Sequence, residues 1–252
     1  MRALVLCGGL GTRLGNAGSG LPKPLVVANG RSLLEWIVAH LTRSGVRELL
    51  VNSHHRAALV EEAARALASP TLEVHCAREA TLLGTAGTVR HHGEWLAAKG
   101  DFVVHYGDVV HDGDLEGLIA RHRSSSAAVT LAVHVNRDSN SLVRRHATGR
   151  VVEFLERPTP EERRAAMGVA DEAWAFSGVC IVSSAALELW PEHAVDLPRD
   201  VFAPLVRRGA RVEAWPLGGT RVAVDSPERL ERLRVLLAGG ACRPGGVRAP
   251  HA

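Results

Sequence analysis

The chain has 252 residues, 46% of them hydrophobic, which is enough to bury the core of one large α/β domain. Its 30 basic and 27 acidic residues leave a formal charge of +3 without any basic block, so neither nucleic acid nor an anionic membrane is expected as a partner. Four cysteines (Cys7, Cys76, Cys180, Cys242) stand far apart with no CxxC pair, which argues against a disulfide framework or a cysteine zinc site and points to a reducing cytoplasm.

In chain order, Ala3–Cys7 is a short apolar run ending at glycines and predicts a buried strand, too short for a signal segment. Ser32–Ser44 has helical spacing (Leu33, Leu34, Ile37, Leu41), with Ser32 as N-cap and Glu35 three residues on. Strands are expected at Glu48–Asn52, Leu72–Cys76 and Asp101–His105. Helices are expected at Ala57–Leu67, Thr85–Ala97 and Asp112–Arg123. That alternation implies a mostly parallel, mixed sheet covered on both faces, a three-layer α/β/α Rossmann-like domain. Past residue 125 the rhythm loosens. Ala127–Val135, Gly149–Leu155, Ala173–Val182 and Arg211–Pro216 read as strands. Pro158–Ala166, Arg199–Arg207 and Pro227–Leu237 read as helices, the last with proline in its first turn. The stretch between the first two of these strands is polar and turn-rich. No repeat or linker divides the chain, so residues 1–238 are expected to form one domain in two parts, 1–125 and 126–238. The Gly/Pro-rich tail 239–252 is expected to be disordered.

The strand at Ala3–Cys7 leads into GGLGTRLGNAGSGLPKPL, residues 8–25. Glycines let backbone amides approach phosphate oxygens, and cationic side chains neutralise the charge. A P-loop would need GxxxxGK followed by Ser or Thr, which is missing. The dinucleotide fingerprint GxGxxG fails at its last position, where Leu14 stands. GGLGTRL, then PKPL, then an amphipathic helix, resembles the sugar-1-phosphate nucleotidyltransferase family. That resemblance implies a Mg²⁺-dependent transfer of a nucleoside monophosphate from an NTP to a sugar 1-phosphate. It also implies that Leu6, Gly8, Gly9, Gly11 and Thr12 line the nucleotide site, that Arg13 grips the β and γ phosphates, and that Lys23 sits between the α-phosphate and the sugar phosphate. Lysines occur only at positions 23 and 99, and one of the two falls in PKPL.

Further motifs follow the same family order. LGTAG at 83–87 implies that Gly84 and Thr85 line the nucleotide pocket, with Thr85 also capping the helix. Glu79, just upstream, is either a reader of guanine's N–H edge, which favours GTP, or a solvated carboxylate. VVHYGDVVHDGDL, running from Val103, ends its strand in Gly-Asp. The resemblance makes Asp108 a Mg²⁺ ligand and puts Tyr106 where relatives carry Asn, while Asp112 and Asp114 read as helix caps. FLERP at 154–158 implies Glu156 on sugar hydroxyls and Arg157 on the sugar phosphate, and Gly178 is where the backbone nears the sugar. In VAVDSPERL, from Val222, Ala223 occupies the usual second metal ligand's position; Asp225 either takes over that role or caps the last helix. Adjacent histidines at 54–55 and 91–92 point apart and read as surface or pocket-edge residues rather than zinc ligands.

The substrates so implied are an NTP and a heptose- or mannose-type sugar 1-phosphate, and a homo-oligomer is compatible with the sequence. Two rivals remain open: a uridylyl-, thymidylyl- or cytidylyltransferase on the same fold, and a nucleotide-binding regulatory subunit without catalysis.

Overall fold

The computed structural model describes residues 1–11, 20–168 and 172–240. Strand β1 (Arg2–Leu6) is buried at four of its five positions, as a central parallel strand with helices on both faces must be. A 3₁₀ turn at Lys23–Leu25 leads to a small hairpin, β2 (Val27–Ala28) and β3 (Arg31–Ser32). Helix α1 (Leu33–Arg43) starts with a full capping box. The Glu35 N–H donates to Ser32 Oγ (3.2 Å) and the Ser32 N–H to Glu35 Oε2 (2.6 Å). Then come β4 (Glu48–Ser53), α2 (Ala57–Arg65), β5 (Glu73–Arg78), α3 (Gly84–His91), α4 (Gly93–Ala97), β6 (Phe102–Tyr106), β7 (Val109–His111) and α5 (Leu115–Ser125). The second half adds β8 (Val129–Val135), β9 (Ser141–Arg145), β10 (Val151–Glu156), α6 (Pro160–Met167), β11 (Trp174–Val182), α7 (Ala203–Arg207), β12 (Val212–Pro216), β13 (Arg221–Ala223) and α8 (Pro227–Ala238).

Among the described residues the main sheet has nine strands and runs through both halves of the chain. In the first half β5, β4, β1 and β6 lie side by side and parallel. β11 then pairs antiparallel with β6 and with β8, and β12 closes the far edge parallel to β8. The β9–β10 hairpin joins at Trp174, the first residue of β11. Period-two alternation divides the core: Leu4, Leu50, Phe102, Val104, Leu131 and Phe202 pack on one face, while Ala3, Val5, Val51, Val103, Ile181 and Leu34 pack on the other. The parallel strands β1 and β6 both end at one rim, and their loops build the site.

The structure differs from the sequence reading in several places. The helix expected at Thr85–Ala97 is two helices, because the backbone turns at His92 before Gly93. Its first residue is Gly84, and no side chain caps it, so Thr85 is not the cap. The helix expected from Arg199 begins instead as a π turn at Leu197–Phe202. Pro204 lacks an N–H, and the Ala203 N–H reaches five residues back to Pro198 O. The turn-rich stretch contains β9, whose Leu142 and Val143 are buried. Asp114 caps α5 by accepting from the Gly117 N–H (2.8 Å), whereas Asp112 accepts from the Thr220 N–H (2.5 Å) and holds a neighbouring turn. The tail was expected to be disordered from Gly239, but Gly239 and Gly240 close α8; residues 241–252 lie outside the described residues.

Candidate active site

At the C-terminal rim of β1 and β6 lies a cavity of about 400 Å³. Leu6, Gly8, Gly9 and Gly11 line it from the loop after β1, with Gly84 and Thr85 from the start of α3 and Tyr106 and Asp108 from the end of β6. Lys23 enters from the PKPL turn, where Pro22 and Pro24 fix the backbone on either side of it. Its ammonium donates to Asp108 Oδ2 at 2.8 Å, although 85 residues separate the two in sequence. Four segments singled out in the sequence thus converge on one concave surface. Thr12 and Arg13 lie outside the described residues.

The glycines act in two ways. A Cβ on Gly9 would meet nothing within 4 Å, so this backbone faces open cavity. Gly84 has φ +76°, and a Cβ there would meet Val195 O at 2.5 Å; its absent side chain lets α3 dock against the 195–197 segment. That docking is reinforced by the Ala86 N–H donating to Val195 O (2.9 Å) and the Leu197 N–H donating to Thr85 Oγ1 (2.8 Å).

Behind the cavity, Glu79 is buried and serves as acceptor for three donors. Asn52 Nδ2 (2.8 Å) and Thr88 Oγ1 (2.5 Å) donate to Oε1, and the Leu83 N–H (3.2 Å) donates to Oε2. Asn52 Oδ1 in turn accepts from the Cys7 N–H (2.7 Å). This network ties the glycine loop, β4 and α3 together. The sequence reading missed Asn52 and Thr88, which both line the cavity. Asn52, one residue short of the end of β4, and Thr88, within α3, carried no signal of their own and take their roles from Glu79.

Toward the second half, Glu156 ends β10 and is largely buried. Burial first, then the charge of Asp196, lifts its carboxyl to about 7. Asp196, which no sequence signal marked, accepts from the Arg199 N–H at 2.9 Å ahead of the π turn. Arg157 is exposed, has φ +50°, and stands 3.7 Å from Glu156. Tyr106 packs edge-on against Phe176, and its buried hydroxyl has no hydrogen bond of normal geometry among the described residues; Thr85 is the polar side chain beside it. Gly178 has φ +83°, and a Cβ there would strike Val109 Cγ2 at 2.8 Å.

Beneath the β6–β7 turn lies a cluster that sequence spacing did not reveal. His105 Nε2 and His111 Nε2 are 3.1 Å apart, and His40 Nδ1 is 2.7 Å from His111 O. Burial pushes His105 down to about 4 and His111 well below its usual value, so both rings are neutral. Among the described residues no group of three or more His, Cys, Asp or Glu is arranged to hold a metal by itself. Mg²⁺ does not need such a cage. It takes one or two carboxylates plus substrate phosphates, and Asp108 at the mouth of the cavity is a suitable hard oxygen donor. Asp225 lies 3.2 Å from Arg229 Nη1 and is linked to the same region through β13, where the Val224 N–H donates to Asp108 O (2.8 Å).

Comparison with known proteins gives a consistent result. A family model described as nucleotidyl transferase matches residues 2–191. A probable mannose-1-phosphate guanylyltransferase 2 of Arabidopsis thaliana is 36% identical over 63% of this chain and 46% of its own length. A D-glycero-alpha-D-manno-heptose 1-phosphate guanylyltransferase of Campylobacter jejuni is 30% identical over 47% of this chain and 52% of its own length. The chain thus spans about half the length of these curated relatives. In fold it matches HddC from Yersinia pseudotuberculosis, also solved with GMP-PN, at TM-score 0.74 and 18% identity over 94% of this chain and 99% of that one. It matches a UDP-glucose pyrophosphorylase from Acinetobacter baumanii at TM-score 0.77 and 18% identity over 96% and 95%. The family model covers most of the chain, the glycine loop, Lys23 and Asp108 included, and the protein belongs to the nucleotidyl transferases.

Proposed function

We propose that the protein transfers a nucleoside monophosphate from an NTP, GTP in preference, to a mannose- or heptose-type sugar 1-phosphate, releasing pyrophosphate. The observation that carries this reading is the Lys23–Asp108 pair at 2.8 Å on the lip of the glycine-lined cavity. A cation and a hard carboxylate side by side suit a reaction that forces two phosphates together. The Lys23 ammonium holds the α-phosphate and the sugar phosphate in line and offsets their repulsion. Arg13 draws off charge from the departing pyrophosphate. Asp108, with Asp225 as second carboxylate, would hold Mg²⁺, which supplies further charge neutralisation on the phosphate oxygens. No covalent enzyme intermediate is required: one P–O bond forms from the sugar phosphate as the bond to pyrophosphate breaks.

Glu79 stands behind Gly8 with Oε1 accepting from Asn52 and Thr88, and its Oε2, which accepts the Leu83 N–H, is the oxygen with acceptor capacity left for a base. Guanine offers two N–H groups to a carboxylate, whereas uracil and thymine offer one, and the guanylyltransferases among the relatives support the same preference. Glu156, Arg157, Tyr106 and Gly178 make up the sugar-phosphate side, and Asp196 adds a second carboxylate to it. The test is pyrophosphate release with each of the NTPs against a panel of sugar 1-phosphates in Mg²⁺. GTP with mannose or heptose 1-phosphate should turn over fastest; no release from any pair would refute the activity.

A further inference from the structure

A second cavity of about 290 Å³ opens between β13, α8 and the end of β8, and it shares no lining residue with the nucleotide cavity. His134 and Asn136 border it from β8 and the residue beyond. Arg221 borders it from β13, and Arg229 and Arg232, one turn apart, from α8. Val135, Val222 and Ala223 form its apolar wall, and none of the described lining residues is acidic. Arg221 donates through Nε to Ser177 O (3.2 Å), and its Nη1 is 3.5 Å from His134 Nε2. Arg221 and Arg232 form no ion pair among the described residues, and Arg229 pairs only at the rim, with Asp225. Burial pulls Arg221 down to about 10, helped by the nearby Arg229 charge and opposed by the charges of Asp108 and Asp225.

Three guanidinium groups line this cavity and the Asp225 carboxylate pairs with only one of them, so positive charge is left for an anion to offset. A phosphate dianion supplies that offset and at least three acceptor oxygens for guanidinium forks. The cavity is far larger than one water's share of about 30 Å³, so it has room for a short carbon skeleton against Val135 and Val222. We propose that this cavity is a binding site for a small phosphomonoester, held by Arg221, Arg229 and Arg232 beside His134. The site adjoins the catalytic carboxylates without entering their cavity. Arg229 is the partner of Asp225, and β13 pairs with β7, which follows directly on Asp108.

The probes are inorganic phosphate and glycerol 3-phosphate, titrated into the full chain by calorimetry and by NMR of the His134 ring. Burial and Arg221 hold that ring down to about 4, so a bound dianion should raise its proton affinity and move its ring-nitrogen resonances. Arg232 is exposed, so Arg232→Gln should fold normally and bind about tenfold more weakly. Arg221→Gln should weaken binding at least as much, with its fold checked by circular dichroism. Lys23→Ala, altered only in the nucleotide cavity, should bind like the wild type. Tighter binding of the ester identifies an organic phosphate as the ligand, and tighter binding of phosphate identifies the free ion; either supports the site. The proposal is overturned if neither probe moves His134, if Arg232→Gln and Arg221→Gln bind as well as the wild type, or if Lys23→Ala abolishes binding.

Discussion

Lys23 and Asp108 keep enough solvent contact, with side chains 13% and 30% exposed, that their ion pair adds only about 0–1 kcal/mol to folding. Their value is to the bound phosphates. Asp108→Asn should therefore leave the melting temperature nearly unchanged while lowering turnover by about 10²–10³, the scale seen when one electrostatic group is removed from a preorganised site. Parallel melting and pyrophosphate assays check both halves of that statement. Glu156 behaves in the opposite way. Its carboxyl rises from 4.5 to about 7 on folding, so between those values the folded chain holds a proton that the unfolded chain releases. Stability from this group is present at low pH and is lost as pH rises toward 7, by at most about 3 kcal/mol. Glu156→Gln removes the titration. The variant should gain on the wild type in melting temperature from pH 5 to pH 8, and a constant difference would show that Glu156 is not desolvated.

The elements of the site hold one another through few contacts, each with a measurable cost. Glu79 accepts from β4, from α3 and from the loop before α3, so Glu79→Ala strands the buried donors of Asn52 and Thr88. A loss of about 2–3 kcal/mol is expected in chemical denaturation, well short of additive with Asn52→Ala because the two share one network. Gly84→Ala places a methyl group 2.5 Å from Val195 O at φ +76° and should cost about 1–3 kcal/mol, pushing α3 off the 195–197 segment. The Michaelis constants for both substrates should then rise together, because Thr85 and Asp196 move with those two elements. Much of this was legible in the sequence wherever a local rule governed. The capping box at Ser32 and Glu35 follows from short-range chemistry, while Lys23 and Asp108 were marked by the PKPL and Gly-Asp motifs that carry the family resemblance. Residues that act through distant partners were not legible: Asn52 and Thr88 acquire meaning only through Glu79, and Asp196 and Arg221 only through the sheet. Short strands such as β7 and β13 have no periodicity of their own and exist because they pair with each other.

For the whole molecule, the parallel strands end at one rim and the antiparallel β11 extends the sheet into the second half, which sets Gly178 against Tyr106 at the edge of the cavity lined from Leu6 to Asp108. The fold also buries neutral histidines: His105 and His134 are pushed down to about 4, and His111 well below its usual value. The unfolded chain binds protons at these sites near 6.5, so stability falls as pH drops from 6.5 toward 4.5, outweighing the opposite trend of the single Glu156. The melting temperature should be several degrees lower at pH 5 than at pH 7, and a higher value at pH 5 would mean that these rings are charged in the fold. The central claim concerns where the α-phosphate goes. The direct measurement incubates the protein with Mg²⁺, α-³²P-labelled GTP and mannose or heptose 1-phosphate, and follows label and pyrophosphate together. Label should appear in a nucleotide-sugar one-for-one with pyrophosphate, and Lys23→Ala should suppress both. Release of labelled GMP without nucleotide-sugar, or no turnover of label at all, would contradict the account.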